Sequence, residues 1–110
     1  MKQYLSNEQT AKLIELGFEK PKSIEVYRDG HCVPFVEQQY AYSIGELIEM
    51  LPENVAKENE IPSTLNISLM NGEWCVQYAD FLGSDFEFCN TELIDALFNM
   101  AVKLKEKGVI

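Results

Sequence analysis

Apolar and polar positions alternate along two stretches of this chain and recur at helical spacing along three others. The clearer alternation runs from Leu65 to Tyr78. Leu65, Ile67 and Leu69 are separated by Asn66 and Ser68, and Trp74, Val76 and Tyr78 by Cys75 and Gln77. Period two puts one apolar and one polar face on a ribbon. Between the runs stands Asn71-Gly72, which favours a two-residue type I′ turn because both central residues need positive φ. That turn sets Leu65 opposite Tyr78, Ile67 opposite Val76 and Leu69 opposite Trp74.

The other alternation spans Ile24 to Arg28 and His31 to Val36 around Asp29-Gly30. A two-residue turn there predicts Val26 opposite Val33 and Ile24 opposite Phe35. Pro34 has no N–H to give a ladder, so its strand is expected at a sheet edge.

Helical spacing appears first after Ser6, where Gln9 three residues on completes a capping box. Leu13, Ile14 and Leu16 supply apolar surface, Gly17 is the expected stop with Phe18 folding back on Leu13, and Pro21 bars continuation. The second helix opens with the Ser43/Glu46 capping box and a Tyr42/Leu47 staple. Its stripe is Ile44, Leu47, Ile48 and Leu51, and Pro52 ends it. Glu53 to Ser63 reads as a polar loop, with a possible helical turn at Val55-Ala56. The last helix is expected from Asn90 or Thr91, with Leu93, Leu97, Met100 and Leu104 as its stripe and Gly108 as its stop. Between Asp80 and Cys89 the pattern is weaker. Gly83-Ser84 can turn the chain, leaving Phe86 and Phe88 for a short fifth strand.

The element order is therefore α-ββ-α-ββ(β)-α. It predicts a single α+β domain over residues 1–110, with an antiparallel sheet of four to five strands from two hairpins and helices packed on one face. Leu65, Ile67, Leu69, Trp74, Val76 and Tyr78 should share one buried face against the last helix.

Charge changes this picture more than composition does. The 110 residues carry a net charge of −9. From Asp29 to Val102 thirteen acids face one basic residue, Lys57, a net −12, while the two ends together carry about +3. Such a middle repels phosphate backbones, so nucleic acid is not expected as a partner. Met1 to Glu8 lacks the apolar stretch of a signal peptide, and no window reaches 18 apolar residues. The expectation is a cytoplasmic protein with no membrane partner. Cys32, Cys75 and Cys89 are odd in number with no CxxC spacing, so reduced thiols are expected rather than a disulfide framework or a zinc site.

No motif brings catalytic, cofactor-binding or metal-binding residues forward. Ser6 to Phe18 resembles the first helix of a helix-turn-helix, but Pro21 and a β-rich run stand where the recognition helix belongs. His31 and Cys32 are strand neighbours, so their side chains diverge. Asp80, Asp85 and Glu87 cluster without the spacing of a cation loop, leaving a metal-dependent enzyme as an alternative. An acidic mimic of nucleic acid that inhibits a DNA-binding protein is another, if the acids share one surface. Tyr40, Tyr42, Phe81 and Phe86 flank turns near acids. With Asp85 and Glu87 they form the candidate partner-binding surface, unless they serve to seal the core. The expectation is a non-enzymatic acidic regulator or accessory protein that contacts another protein, with no cofactor. A monomer is expected, because Asp85 and Glu87 on the strand near Phe86 discourage a second copy and favour a partner strand bearing Lys or Arg.

Three segments resemble those of small uncharacterised proteins of phages and mobile elements in Bacteroides-type gut bacteria. They are Gln9 to Pro21 (QTAKLIELGFEKP), Tyr42 to Pro52 (YSIGELIEMLP) and Leu93 to Phe98 (LIDALF). The resemblance implies a mobile-element setting and no known activity, and it assigns no functional residue.

Overall fold

A computed structural model of the chain describes residues 2–21, 24–25, 39–55, 63–80 and 83–110. The elements in order are α1 (Asn7–Glu15), β1 (Ile24–Glu25), β2 (Gln39–Tyr40), α2 (Ile44–Met50), β3 (Asn54–Val55), β4 (Ser63–Met70), β5 (Glu73–Asp80), β6 (Gly83–Asn90) and α3 (Leu93–Glu106). The fold is α+β, with an antiparallel sheet in the order β3-β4-β5-β6.

The helix ends form as their residues dictate. In α1, Gln9 N–H donates to Ser6 Oγ at 3.2 Å and Ser6 N–H to Gln9 Oε1 at 3.1 Å. The same box closes α2 through Ser43 and Glu46. Gly17 takes φ +101°, its N–H bonds Ile14 O, and Phe18 N–H bonds Leu13 O. That is a Schellman stop, which a glycine enters without the Cβ clash. Gly108 ends α3 the same way, with Val109 N–H on Leu104 O.

The β4–β5 ribbon follows the Asn-Gly turn. Asn71 has φ +51° and Gly72 φ +80°, and Leu65 faces Tyr78, Ile67 faces Val76 and Leu69 faces Trp74. Val76 and Tyr78 are fully buried, and Leu65, Ile67, Trp74, Phe86 and Phe88 pack at the margin of the core. α3 lies over β5 and β6, burying Leu93, Ile94, Leu97, Met100 and Leu104. Because the helix covers those two strands, the turn end of β4 is left bare. Leu69 remains 57% exposed, so it does not share the buried face expected for it.

Other expectations need correction. Among the described residues β1 and β2 form a two-stranded sheet of their own rather than part of one large sheet. Ile24 faces Tyr40 and Glu25 faces Gln39, five positions beyond the register that an Asp29-Gly30 turn predicts. The turn itself and Pro34 lie outside the described residues. The second strand is held from its far end instead. Ala41 and Tyr42 are buried, Leu5 N–H bonds Tyr42 O at 3.0 Å, and Ile44 N–H bonds Gln3 O at 3.2 Å. These anchors, together with the bridge between Tyr4 and Ser43, hold the chain from Tyr42 to Ile44 against the N-terminal segment, directly after residues 39–40.

The stretch read as a loop after Pro52 contains β3, where Asn54 and Val55 pair with Thr64 and Ser63. Gly83 and Ser84 are strand residues of β6, not a turn. α3 begins at Leu93, because β6 runs on to Asn90, whose Oδ1 accepts from Glu92 N–H at 2.9 Å. Ile48, placed on the buried stripe of α2, is more than a third exposed, as is Ile14 on α1.

Candidate functional site

The sheet has two unlike faces. One is covered by α3. The other carries Thr64, Asn66, Ser68, Glu73, Cys75, Gln77, Glu87 and Cys89, all exposed or half-buried. β6 takes its place in this face through an irregularity. Asp80 pairs with Gly83 and Ala79 with Ser84, but Tyr78 pairs with Phe86, so Asp85 is the extra residue of a bulge. An uninterrupted ladder from the Asp80–Gly83 pair would have set Asp85 opposite Tyr78 and Glu87 opposite Val76, on the buried face. The bulge restores phase: Phe86 and Phe88 turn to the core, and Glu87 and Cys89 turn to solvent.

That phase sets Cys89 directly opposite Cys75, with Cα atoms 4.1 Å apart, and the two are joined as a disulfide. The expectation of reduced thiols is corrected on this point. Cys32 lies outside the described residues. The reason is register rather than sequence spacing: a close cross-strand pair on one face brings two sulfurs together whatever lies between them. Cys89 Sγ also lies 3.4 Å from Glu87 Oε1 on the same strand, a contact that becomes a hydrogen bond only when Cys89 is a thiol with a proton to donate.

The residues expected to form one partner-binding surface are divided. Glu87 is exposed on the open face. Phe86, its neighbour, points the other way and packs against the core. Tyr42 is buried, and its hydroxyl donates to the backbone oxygen of Glu19. Tyr40 lies in β2 and Asp85 in β6, while Phe81 is outside the described residues. The acids also divide: Glu46 and Glu49 are on α2, Glu73 and Glu87 on the open sheet face, and Asp95 at the start of α3 is held by Lys2 at 3.3 Å and by Gln9 at 2.9 Å.

A cleft of about 600 Å³ lies between the end of α1 and α2, lined by Phe18, Glu19, Lys20, Tyr42, Glu46, Glu49 and Met50. Burial, reinforced by the carboxylates of Glu46 and Glu19, holds the Tyr42 hydroxyl above its ordinary range. The hydrogen bond ties that hydroxyl to the backbone just after α1. Tyr78 is pushed up to about 12 by burial and donates to Pro52 O at 2.7 Å.

Among the described residues, no helix is long and apolar enough to cross a membrane. Compared with protein-family models, with curated proteins and with solved structures, the chain matches none.

Proposed function

We propose that this protein is a non-enzymatic accessory or regulatory module that binds another protein by taking one of its strands along β6. The carrying observation is the edge. β6 spans eight residues, pairs with β5 on one side, and among the described residues has no strand on the other. Antiparallel pairs alternate between those that exchange hydrogen bonds and those that do not, the latter with closer Cα atoms. The 4.1 Å separation of Cys75 and Cys89 marks a non-bonded pair. The turn agrees: the Met70–Glu73 pair beside Asn71-Gly72 is bonded, so Cys75 and Gln77 spend their backbone groups on β4. Phe86 and Phe88 thus bond β5, and the N–H and C=O of Glu87 and Cys89 point outward, ready for an added strand.

Glu87, exposed on that edge strand, gives the edge its preference. A second copy of β6 would bring acids against acids, whereas a partner strand bearing Lys or Arg would meet opposite charge. In the mobile-element setting that the sequence resemblance implies, the partner is a basic host or element protein.

The test uses a ten-residue peptide of alternating Val and Lys as the added strand. It should shift the amide resonances of Glu87 and Cys89 and weaken with salt. Glu87→Pro removes an outward N–H while leaving the β5 ladder intact, and should abolish the interaction without unfolding the protein. Equal binding by the Glu87→Pro variant would sink the proposal.

A further inference from the structure

The pairing of Cys75 with Cys89 has a second chemical state besides the disulfide. Cys89 is exposed and Cys75 half-buried, so the bond is open to attack by a small thiol from the solvent side of the sheet. A thiolate of that reductant attacks one sulfur and the other leaves as a thiolate. A second reductant thiol then resolves the mixed disulfide, so two electrons and two protons convert the bond into two cysteine thiols while the reductant becomes a disulfide. Neither thiol then lies far from a carboxylate. The Sγ atoms of Cys75 and Cys89 and a carboxylate oxygen of Glu87 all lie within 4.8 Å of one another.

We propose that the reduced form of this cluster is a binding site for a thiophilic divalent cation, with zinc as the physiological class of ligand. Its ligands are Cys75 Sγ, Cys89 Sγ and one oxygen of Glu87. Three features carry the assignment. The donor set is two soft sulfurs and one oxygen, which suits zinc and excludes calcium or magnesium, whose sites are built from oxygens. The donors sit on two strands locked in register, β5 and β6, so the chain has already met most of the ordering cost. The geometry is also within reach. Tetrahedral zinc with bonds of about 2.3 Å to sulfur needs the two sulfurs about 3.8 Å apart. Side-chain rotation about χ1 separates them that far while the Cα atoms stay 4.1 Å apart. Glu87 lies two residues before Cys89, on the same face, and reaches the pair from its side.

The fourth position opens to solvent, because this face is uncovered among the described residues. Binding displaces up to two protons as two Zn–S bonds form. Oxidation by a small disulfide consumes both thiolates and expels the cation, so the site is present only in the reduced protein. This inference stands apart from the strand-capture proposal, and either can fail alone.

The experiment titrates Zn²⁺ into the Cys32→Ser protein, which removes the third sulfur, against a chromogenic chelator. Reduced and oxidised forms are compared under anaerobic conditions, and Co²⁺ is used in parallel as a spectroscopic probe. The reduced protein should take one equivalent, release protons on binding, and give sulfur-to-cobalt charge-transfer absorption. Cys75→Ser and Cys89→Ser should each abolish that absorption, and Glu87→Gln should weaken Zn²⁺ binding by at least about tenfold. Circular dichroism of each variant confirms the fold. No competition with the chelator by the reduced, folded protein would overturn the proposal. So would equal binding by the oxidised form, or by a folded variant lacking both Cys75 and Cys89.

Discussion

The two ribbons of this protein carry the same local signal and obey it differently. Asn71-Gly72 sits between alternating strands, and β4 and β5 pair as a two-residue turn requires. Asp29-Gly30 also sits between alternating runs of sequence but lies outside the described residues, and β1 and β2 meet five positions away from the register it implies. The difference lies in what else holds each strand. β4 and β5 have an apolar face that is in phase with their turn, so turn and burial ask for the same pairing. β2 leads into the buried pair Ala41 and Tyr42, and the chain is fixed there by hydrogen bonds from Leu5 N–H to Tyr42 O and from Ile44 N–H to Gln3 O. Burial of several side chains, each worth about 1.5–3 kcal/mol when complete, fixes a register strongly. β5 and β6 stand between these cases. There the connection and the apolar pattern are out of phase by one residue, and the bulge at Asp85 reconciles them.

Deleting Asp85 breaks that reconciliation and should have the largest effect. Without the extra residue either the Asp80–Gly83 pairing or the burial of Phe86 and Phe88 must be given up. A fully buried phenylalanine is worth about 1.5–3 kcal/mol, and Phe86 and Phe88 are half-buried, so losing both together with the ladder that holds them is expected to cost about 3 kcal/mol in urea unfolding. A loss below 1 kcal/mol would mean that the bulge is dispensable. Leu97→Ala comes next. Leu97 is fully buried where α3 covers β5 and β6, and truncation should cost about 2–5 kcal/mol through lost burial plus the cavity left behind.

What the sequence made legible was whatever depends on neighbours along the chain. Both capping boxes, both glycine stops, the Asn-Gly turn and the stripe of α3 were readable because each is specified within a few residues. The polar face holding Cys75 was readable for the same reason. Its partner Cys89 was not. The two lie 14 residues apart, and their meeting depends on a bulge whose only signal is that Phe86 and Phe88 fall on the wrong face without it. That signal exists in the sequence, but only for a reader who already knows where β5 ends. The exposure of Leu69 was hidden too, because it depends on how far along the ribbon α3 reaches. Grouping Tyr42 and Phe86 with Glu87 as one surface failed on side-chain direction: the first two serve the core, and Glu87 faces solvent.

Alkaline unfolding sharpens the contrast on the buried side of the sheet. Tyr78 titrates near 12 in the folded protein and near 10 when unfolded, so the folded state favours the neutral phenol. The stabilisation is whole below pH 10 and is lost as pH rises through 12, by at most about 2.7 kcal/mol for two units. Tyr42 adds in the same direction. Urea unfolding at pH 8 and pH 11.5 should show this loss, and it should shrink in Tyr78→Phe. An unchanged pH dependence in that variant would assign the effect elsewhere. Smaller still is Gly72→Val. Its φ of +80° is costly for a β-branched residue while nothing crowds the site, so a loss of about 1–2 kcal/mol is expected with the register intact. A shift of the Ile67–Val76 pairing in that variant would show that the turn, not the apolar face, holds β4 on β5.

Residue-resolved amide hydrogen exchange along β6 tests the central claim, that a one-residue bulge turns the phenylalanines inward and leaves the backbone of Glu87 and Cys89 facing outward. The amides of Phe86 and Phe88 should be strongly protected by their bonds to β5. Those of Glu87 and Cys89 should exchange close to the rate of an unprotected strand edge. Protection of Glu87 and Cys89 in the free protein, with fast exchange at Phe86 and Phe88, would place the ladder in the other phase and contradict both the bulge and the open edge.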